Sequence, residues 1–185
     1  ITARETRLLL AACDRRRAVG RRDFAVIVLM LRLGLRATEV ATLRLQDLDW
    51  RAGQLTVHGK GGRVDELPLP VDVGEAIAAY LRRGRPREAT ARQVFLRVAP
   101  PQVAMTRGGV TAIVAGAARR AGLGVVRPHR LRHTAASDIL RSGASLAEIG
   151  QVLRHRSAGS TAVYARVDVE RLRMIARPWP GGAAS

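Results

Sequence analysis

The sequence predicts a mainly helical domain carrying one small antiparallel sheet, an α+β class, on three observations. Apolar residues recur at helical spacing through most of the chain, with capping residues ahead of the runs and glycines behind them. In one stretch, from Leu48 to Leu67, the pattern switches to short alternating runs around a glycine-rich turn. The length, 185 residues, suits one well-cored domain rather than two.

Taken in order, the first helix is expected from Thr2 to about Arg17. Thr2 and Glu5 have the spacing of a capping box, so the chain enters a helix at once and no leader segment is expected. A second helix, Arg21 to Arg32, stops at Gly34, and a third starts at Thr38, a good N-cap. Gln54 to His58 and Arg63 to Leu67 read as two strands of a hairpin, joined by Gly59-Lys60-Gly61-Gly62. Pro68 and Pro70 close the sheet, and Val73 to Arg82 has the apolar spacing of a fourth helix. Pro86 to Pro101, rich in arginine and proline, is expected as an irregular, mobile loop. Helices follow at Arg107 to Ala121, Pro128 to Arg141 and Ser145 to Leu153, with Gly122 and Gly143 marking ends. Ser160 caps a short helix containing Tyr164, Val169 to Ala176 forms the last, and residues 178–185 make a disordered tail.

Composition limits the function classes. A formal net charge of +17 exceeds what solubility requires and implies a polyanionic partner. Aromatic residues are only 3%, which favours phosphate contacts on duplex over base stacking on single strands. No apolar run approaches the roughly 20 residues of a membrane-spanning helix, so no membrane partner is expected. A single cysteine, Cys13, excludes an internal disulfide and points to a reducing cytoplasm.

Cleaving a phosphodiester without a metal requires a nucleophile, cationic donors for the transition-state charge, and an acid for the leaving oxygen. The chain offers all three. Arg36 sits in a loop just ahead of a helix, with Glu39 spaced to hold its guanidinium. His129 and Arg132 fall on one helical face, where imidazole and guanidinium can meet one phosphate. His129 and His133 also have the spacing of a helical zinc pair, but no glutamate lies between them and Arg127, Arg130 and Arg132 repel a cation; no metal site is expected. Lys60 is the only lysine, every other basic chain being arginine. A lysine kept in so arginine-rich a chain suggests a position where a releasable proton is needed. His155 and Tyr164 lie nine residues apart, and the one other tyrosine, Tyr80, reads as packing on an amphipathic helix.

The order of these motifs resembles the tyrosine recombinases, the phage-integrase type. It comprises Gly-Leu-Arg-x-x-Glu around Arg36, Gly-Lys-Gly-Gly-Arg around Lys60, Pro-His-x-Leu-Arg-His-Thr around His129 and Arg132, then Leu-x-His with a tyrosine nine residues on. The resemblance covers about Thr2 to Ala176 and implies the catalytic-domain fold of that family over residues 1–177. It implies DNA strand cleavage and rejoining: Tyr164 attacks the scissile phosphate to give a 3′-phosphotyrosine, Arg36 and Arg132 clamp the nonbridging oxygens, His129 assists proton transfer at the tyrosine, His155 hydrogen-bonds the phosphate, and Lys60 protonates the leaving oxygen. No cofactor is required, because the bond energy is kept in the covalent intermediate. The implied partner is double-stranded DNA, with a homo-oligomer, a tetramer, assembling on it. Met105-Thr106-Arg107 resembles the start of the family's DNA-contacting helix, which makes Thr106 and Arg107 groove or phosphate contacts. Two departures stand out. Arg154 replaces a glycine common before the third-motif histidine, and the family's N-terminal core-binding domain is expected to be absent from this chain. The alternatives are a type IB topoisomerase-like enzyme, against which the compact lysine hairpin and His155 count, and a catalytically silent DNA-binding module, against which the complete residue set counts.

Overall fold

The computed structural model describes residues 1–59, 61–141 and 143. They fall in two compact units, Ile1–Ala135 and Ala136–Ser185, of which the first contains nearly all the described chain.

Helix α1 (Ala3–Ala11) opens with the expected capping box: Thr2 Oγ1 accepts the Glu5 N–H at 3.1 Å and the Glu5 carboxylate accepts the Thr2 N–H at 2.7 Å. It stops at Ala11 rather than Arg17. Asp14 turns the chain there, its carboxylate accepting the Arg16 N–H and its carbonyl the Arg17 N–H, both at 3.1 Å. Gly20 lets the following helix, α2 (Ala18–Leu33), lie against that turn, since a Cβ would stand 1.9 Å from the Asp14 carbonyl oxygen. From Ala25 to Leu31 every residue of α2 is buried, so this helix is the axis of the core.

Helix α3 (Ala37–Thr42) and a 3₁₀ turn (Leu45–Asp47) lead to strands β1 (Leu48–Asp49), β2 (Gln54–His58) and β3 (Val64–Pro68), an antiparallel sheet in that order. Leu55 opposes Leu67 and both are buried with Val57, the period of two that the alternation predicts. Strand β1 was not expected, because two residues are too few to show a period. Helix α4 (Val71–Arg83) buries Val73, Ala76, Ile77 and Tyr80 and packs on α2.

The segment expected as a mobile loop, Pro86 to Pro101, is irregular but tied into the core at its centre. Val94, Phe95 and Leu96 are fully buried, Phe95 stacks on Tyr80 at 5.6 Å, and the Tyr80 hydroxyl accepts the Leu96 N–H at 3.2 Å. An apolar triplet inside an arginine-rich stretch outweighs its flanks. Helix α5 (Arg107–Arg120) packs on α1, α2 and α3, and α6 (Pro128–Arg141) matches its expected bounds. The helices expected over Ser145 to Leu153, around Tyr164 and over Val169 to Ala176, and the tail 178–185, lie outside the described residues. Among the described residues no helix is long and apolar enough to cross a membrane.

Candidate active site

Gly34 ends α2 in the left-handed conformation, φ 59°, with its N–H donating to the Met30 carbonyl at 3.0 Å. Fully buried Leu35 then pins the connector, and Arg36 enters α3 extended as its N-cap residue. The cap is thus Arg36 and not Thr38. The acceptor that a capping hydroxyl would supply comes instead from Glu39: its Oε2 accepts the Arg36 N–H and its Oε1 pairs with Arg36 Nη1, each at 2.8 Å. The Glu39 side chain is 4% exposed and that of Arg36 43%, so a buried carboxylate grips one side of a fork whose other side faces solvent.

This geometry makes Glu39 a stability determinant as well. Glu39→Ala strips the Arg36 N–H of its acceptor and is expected to destabilise the chain by about 1–2 kcal/mol, in the range of a lost N-cap. Urea unfolding checks this, and Glu39→Gln, which keeps an acceptor oxygen, should recover part of the loss.

Arg132 reaches the same connector from α6. Its Nη1 donates to the Gly34 carbonyl, at the electronegative end of α2, 98 residues away in sequence. His129, one turn earlier on α6, shares its face. The His129 and His133 rings meet edge to face, centroids 6.2 Å apart. Partial desolvation holds the His133 imidazole below its ordinary range, with His129 and Arg132 acting in the same direction. Among the described residues, no three histidine, cysteine or acidic side chains gather as a metal-ligand set.

A cleft of about 780 Å³ unites these groups. Leu35, Arg36, Ala37 and Thr38 line it from the start of α3, Arg107 and Thr111 from the start of α5, and Arg127, Pro128, His129 and Arg132 from the start of α6. Residues at the starts of three helices therefore line one opening that holds four arginines and no carboxylate among its lining residues. Such a basic cleft attracts anions.

Of the residues singled out in the sequence, Arg36, Arg107, His129 and Arg132 come together here, with Glu39 behind Arg36. Thr106 does not line the cleft; its hydroxyl oxygen accepts the Gly109 N–H at 3.1 Å and so starts α5. Lys60, His155 and Tyr164 lie outside the described residues. Sequence reasoning overlooked Arg127 and Thr111 as members of the cleft. The signal for Arg127 was its place directly before Pro128-His129, where it had counted only as a charge repelling metal.

Comparison with known proteins gives the same picture. The model of the phage integrase family matches residues 1–171. A putative integrase/recombinase of Sinorhizobium fredii, y4rA, is 52% identical over 178 residues, spanning 95% of this chain and 43% of the relative. The chain thus spans less than half the length of that relative. Among solved structures, the XerA recombinase superposes with a TM-score of 0.82 at 22% identity, over 96% of this chain and 64% of its own. The XerH site-specific recombinase bound to palindromic difH substrate, a post-cleavage complex, gives 0.79 at 21%, over 97% and 52%. At such identity these two share the fold.

Proposed function

Since the chain belongs to the phage integrase family, we propose that residues 1–177 are the catalytic domain of a site-specific tyrosine recombinase, which cuts and rejoins double-stranded DNA through a 3′-phosphotyrosine. The observation that carries this reading is the convergence of Arg36, His129 and Arg132, drawn from helix starts far apart in sequence, on one basic cleft. XerH, with the same fold, is bound to its DNA substrate after cleavage, which supports DNA as the partner.

In this reading the scissile phosphate sits between Arg36 and Arg132. Each guanidinium is held from behind, by Glu39 and by the Gly34 carbonyl, so the donors are in place before charge develops on the nonbridging oxygens. The Tyr164 oxygen bonds to phosphorus as the bond to the 5′ oxygen breaks; His129 assists removal of the tyrosine proton and Lys60 delivers one to the leaving oxygen. His155 hydrogen-bonds the phosphate. Thr106 and Arg107 contact the duplex beside it. Reversal with a different 5′-hydroxyl completes the exchange, and a tetramer on two duplexes supplies the partners. A supercoiled plasmid carrying two recombination sites tests the reading: exchanged circles are expected, whereas relaxation without exchange would indicate a topoisomerase.

Binding to duplex DNA should depend steeply on salt and little on sequence when this chain acts alone. Each phosphate neutralised adds about −0.9 to the slope of log K against log salt, so two phosphates in the cleft give about −2, a loss of about tenfold between roughly 50 and 200 mM, and the slope steepens as further basic residues of the chain join. Fluorescence anisotropy on unrelated duplexes measures it, and a flat salt dependence would overturn the phosphate-cleft reading.

A further inference from the structure

We propose that the cleft holds two consecutive phosphates of one DNA strand, with Arg127 and Arg107 taking the phosphate that flanks the scissile one. This rests on the reading of Arg36, His129 and Arg132 as the scissile-phosphate site.

The four arginines of the cleft are not equivalent. Arg36 and Arg132 are each tied back by a protein acceptor, Glu39 and the Gly34 carbonyl. Arg107 and Arg127 are exposed, line the same opening, and have no side-chain hydrogen bond or ion pair among the described residues. A phosphodiester carries one negative charge and two nonbridging oxygens, which one pair of guanidinium groups already satisfies. Two further cations in the same cleft repel the first pair unless a second anion enters. The starts of α5 and α6, which line the same opening, add to that demand. Space allows a second group, since the cleft, at about 780 Å³, is larger than one phosphate fills. On a DNA strand the nearest second anion is the adjoining phosphate, about 3.4 Å further along the helix axis.

Loop and helix also place Arg127 firmly. It directly precedes Pro128, whose ring fixes the first turn of α6, and its own carbonyl accepts the Arg130 N–H at 2.9 Å. Its side chain therefore departs from a fixed backbone at the cleft rim, which suits a positioning contact. Holding the neighbouring phosphate would orient the strand so that the scissile phosphorus faces the nucleophile.

The test uses two small probes, thymidine 3′-monophosphate and thymidine 3′,5′-bisphosphate, the second presenting two phosphates at the spacing of consecutive positions on a strand. Affinities are read by competition against a labelled duplex. The unsubstituted protein should prefer the bisphosphate by about tenfold, the scale of a charge-assisted contact. Arg127→Ala should abolish that preference while leaving monophosphate affinity nearly unchanged, and Arg127→Lys should restore part of it. Arg36→Ala should weaken both probes alike; if it weakens neither, the scissile-phosphate reading fails regardless of Arg127. Arg87→Ala, which removes one exposed charge outside the cleft, controls for net charge and should keep the preference. Equal affinity of the unsubstituted protein for both probes, a preference that survives Arg127→Ala, or equal loss in Arg87→Ala would each overturn the proposal.

Discussion

Tyr164→Phe is expected to abolish the covalent protein–DNA adduct that the enzyme forms on a nicked duplex carrying its recombination site, while leaving noncovalent binding intact. The substitution removes one oxygen, and that oxygen is the atom proposed to bond to phosphorus. The described structure sharpens the test by disposing of the other tyrosine. Tyr80 is fully buried, stacks on Phe95, and its hydroxyl already accepts the Leu96 N–H; burial also pushes its phenol above the ordinary range. It offers no accessible oxygen to attack DNA. Phosphate binding should survive because Arg36 and Arg132 keep their acceptors at Glu39 and Gly34 in the variant. Denaturing electrophoresis reads the adduct and anisotropy the affinity. An adduct that persists in Tyr164→Phe would place the nucleophile elsewhere.

Much of this was legible in the sequence where local chemistry dictates structure, and not where distant residues meet. The capping box at Thr2 and Glu5, the stop at Gly34 and the hairpin flanking Lys60 were all set by neighbours within a few positions, and the structure matches them. Helix α1 was overrun because its apolar pattern continues past Ala11, while the turn at Asp14 depends on one carboxylate and on Gly20 approaching from the next helix. The N-cap of α3 was misplaced by two residues because a threonine looked like the better cap than an arginine. The glutamate three residues on, already noticed as a partner for the Arg36 guanidinium, serves the backbone N–H as well. At the site, the family resemblance implied that Arg36, His129 and Arg132 act on one phosphate, and all three line the one cleft. Their meeting depends on the Arg132 to Gly34 contact, which no local pattern announces. Arg127 escaped for the same reason: beside a motif it looked like surplus charge, and only the packing of three helix starts makes it part of a cleft.

Lys60→Arg should separate a proton donor from a mere positive charge. Arginine keeps the charge and approximate reach but does not release its proton near neutral pH, so strand cleavage is expected to fall by about 10²- to 10⁴-fold, the usual contribution of general acid catalysis, with DNA binding little changed. The fold around the substitution has independent support. Strands β2 and β3 pair in register from Gln54 with Pro68 to His58 with Val64, and the Gly59 N–H donates to the Arg63 carbonyl at 2.7 Å. Below the turn, the buried Asp47 carboxylate faces His58 Nε2 at 3.1 Å and accepts the Arg44 N–H at 2.8 Å, fastening β2 to the turn that precedes the sheet. These contacts lie within β2, β3 and the turn before them, and they remain available in the Lys60→Arg variant. A substrate with sulfur in place of the bridging 5′ oxygen then discriminates between roles. A thiol has a pKa of about 8.5, far below that of an alcohol, and its thiolate departs without a proton. Lys60→Arg should therefore cleave the sulfur substrate within about tenfold of the unsubstituted enzyme, since only the protonation step was lost. Tyr164→Phe should remain inactive on it, because a better leaving group does not replace a missing nucleophile. If Lys60→Arg is slowed equally on both substrates, Lys60 contributes charge at the phosphate and the leaving oxygen takes its proton from another group.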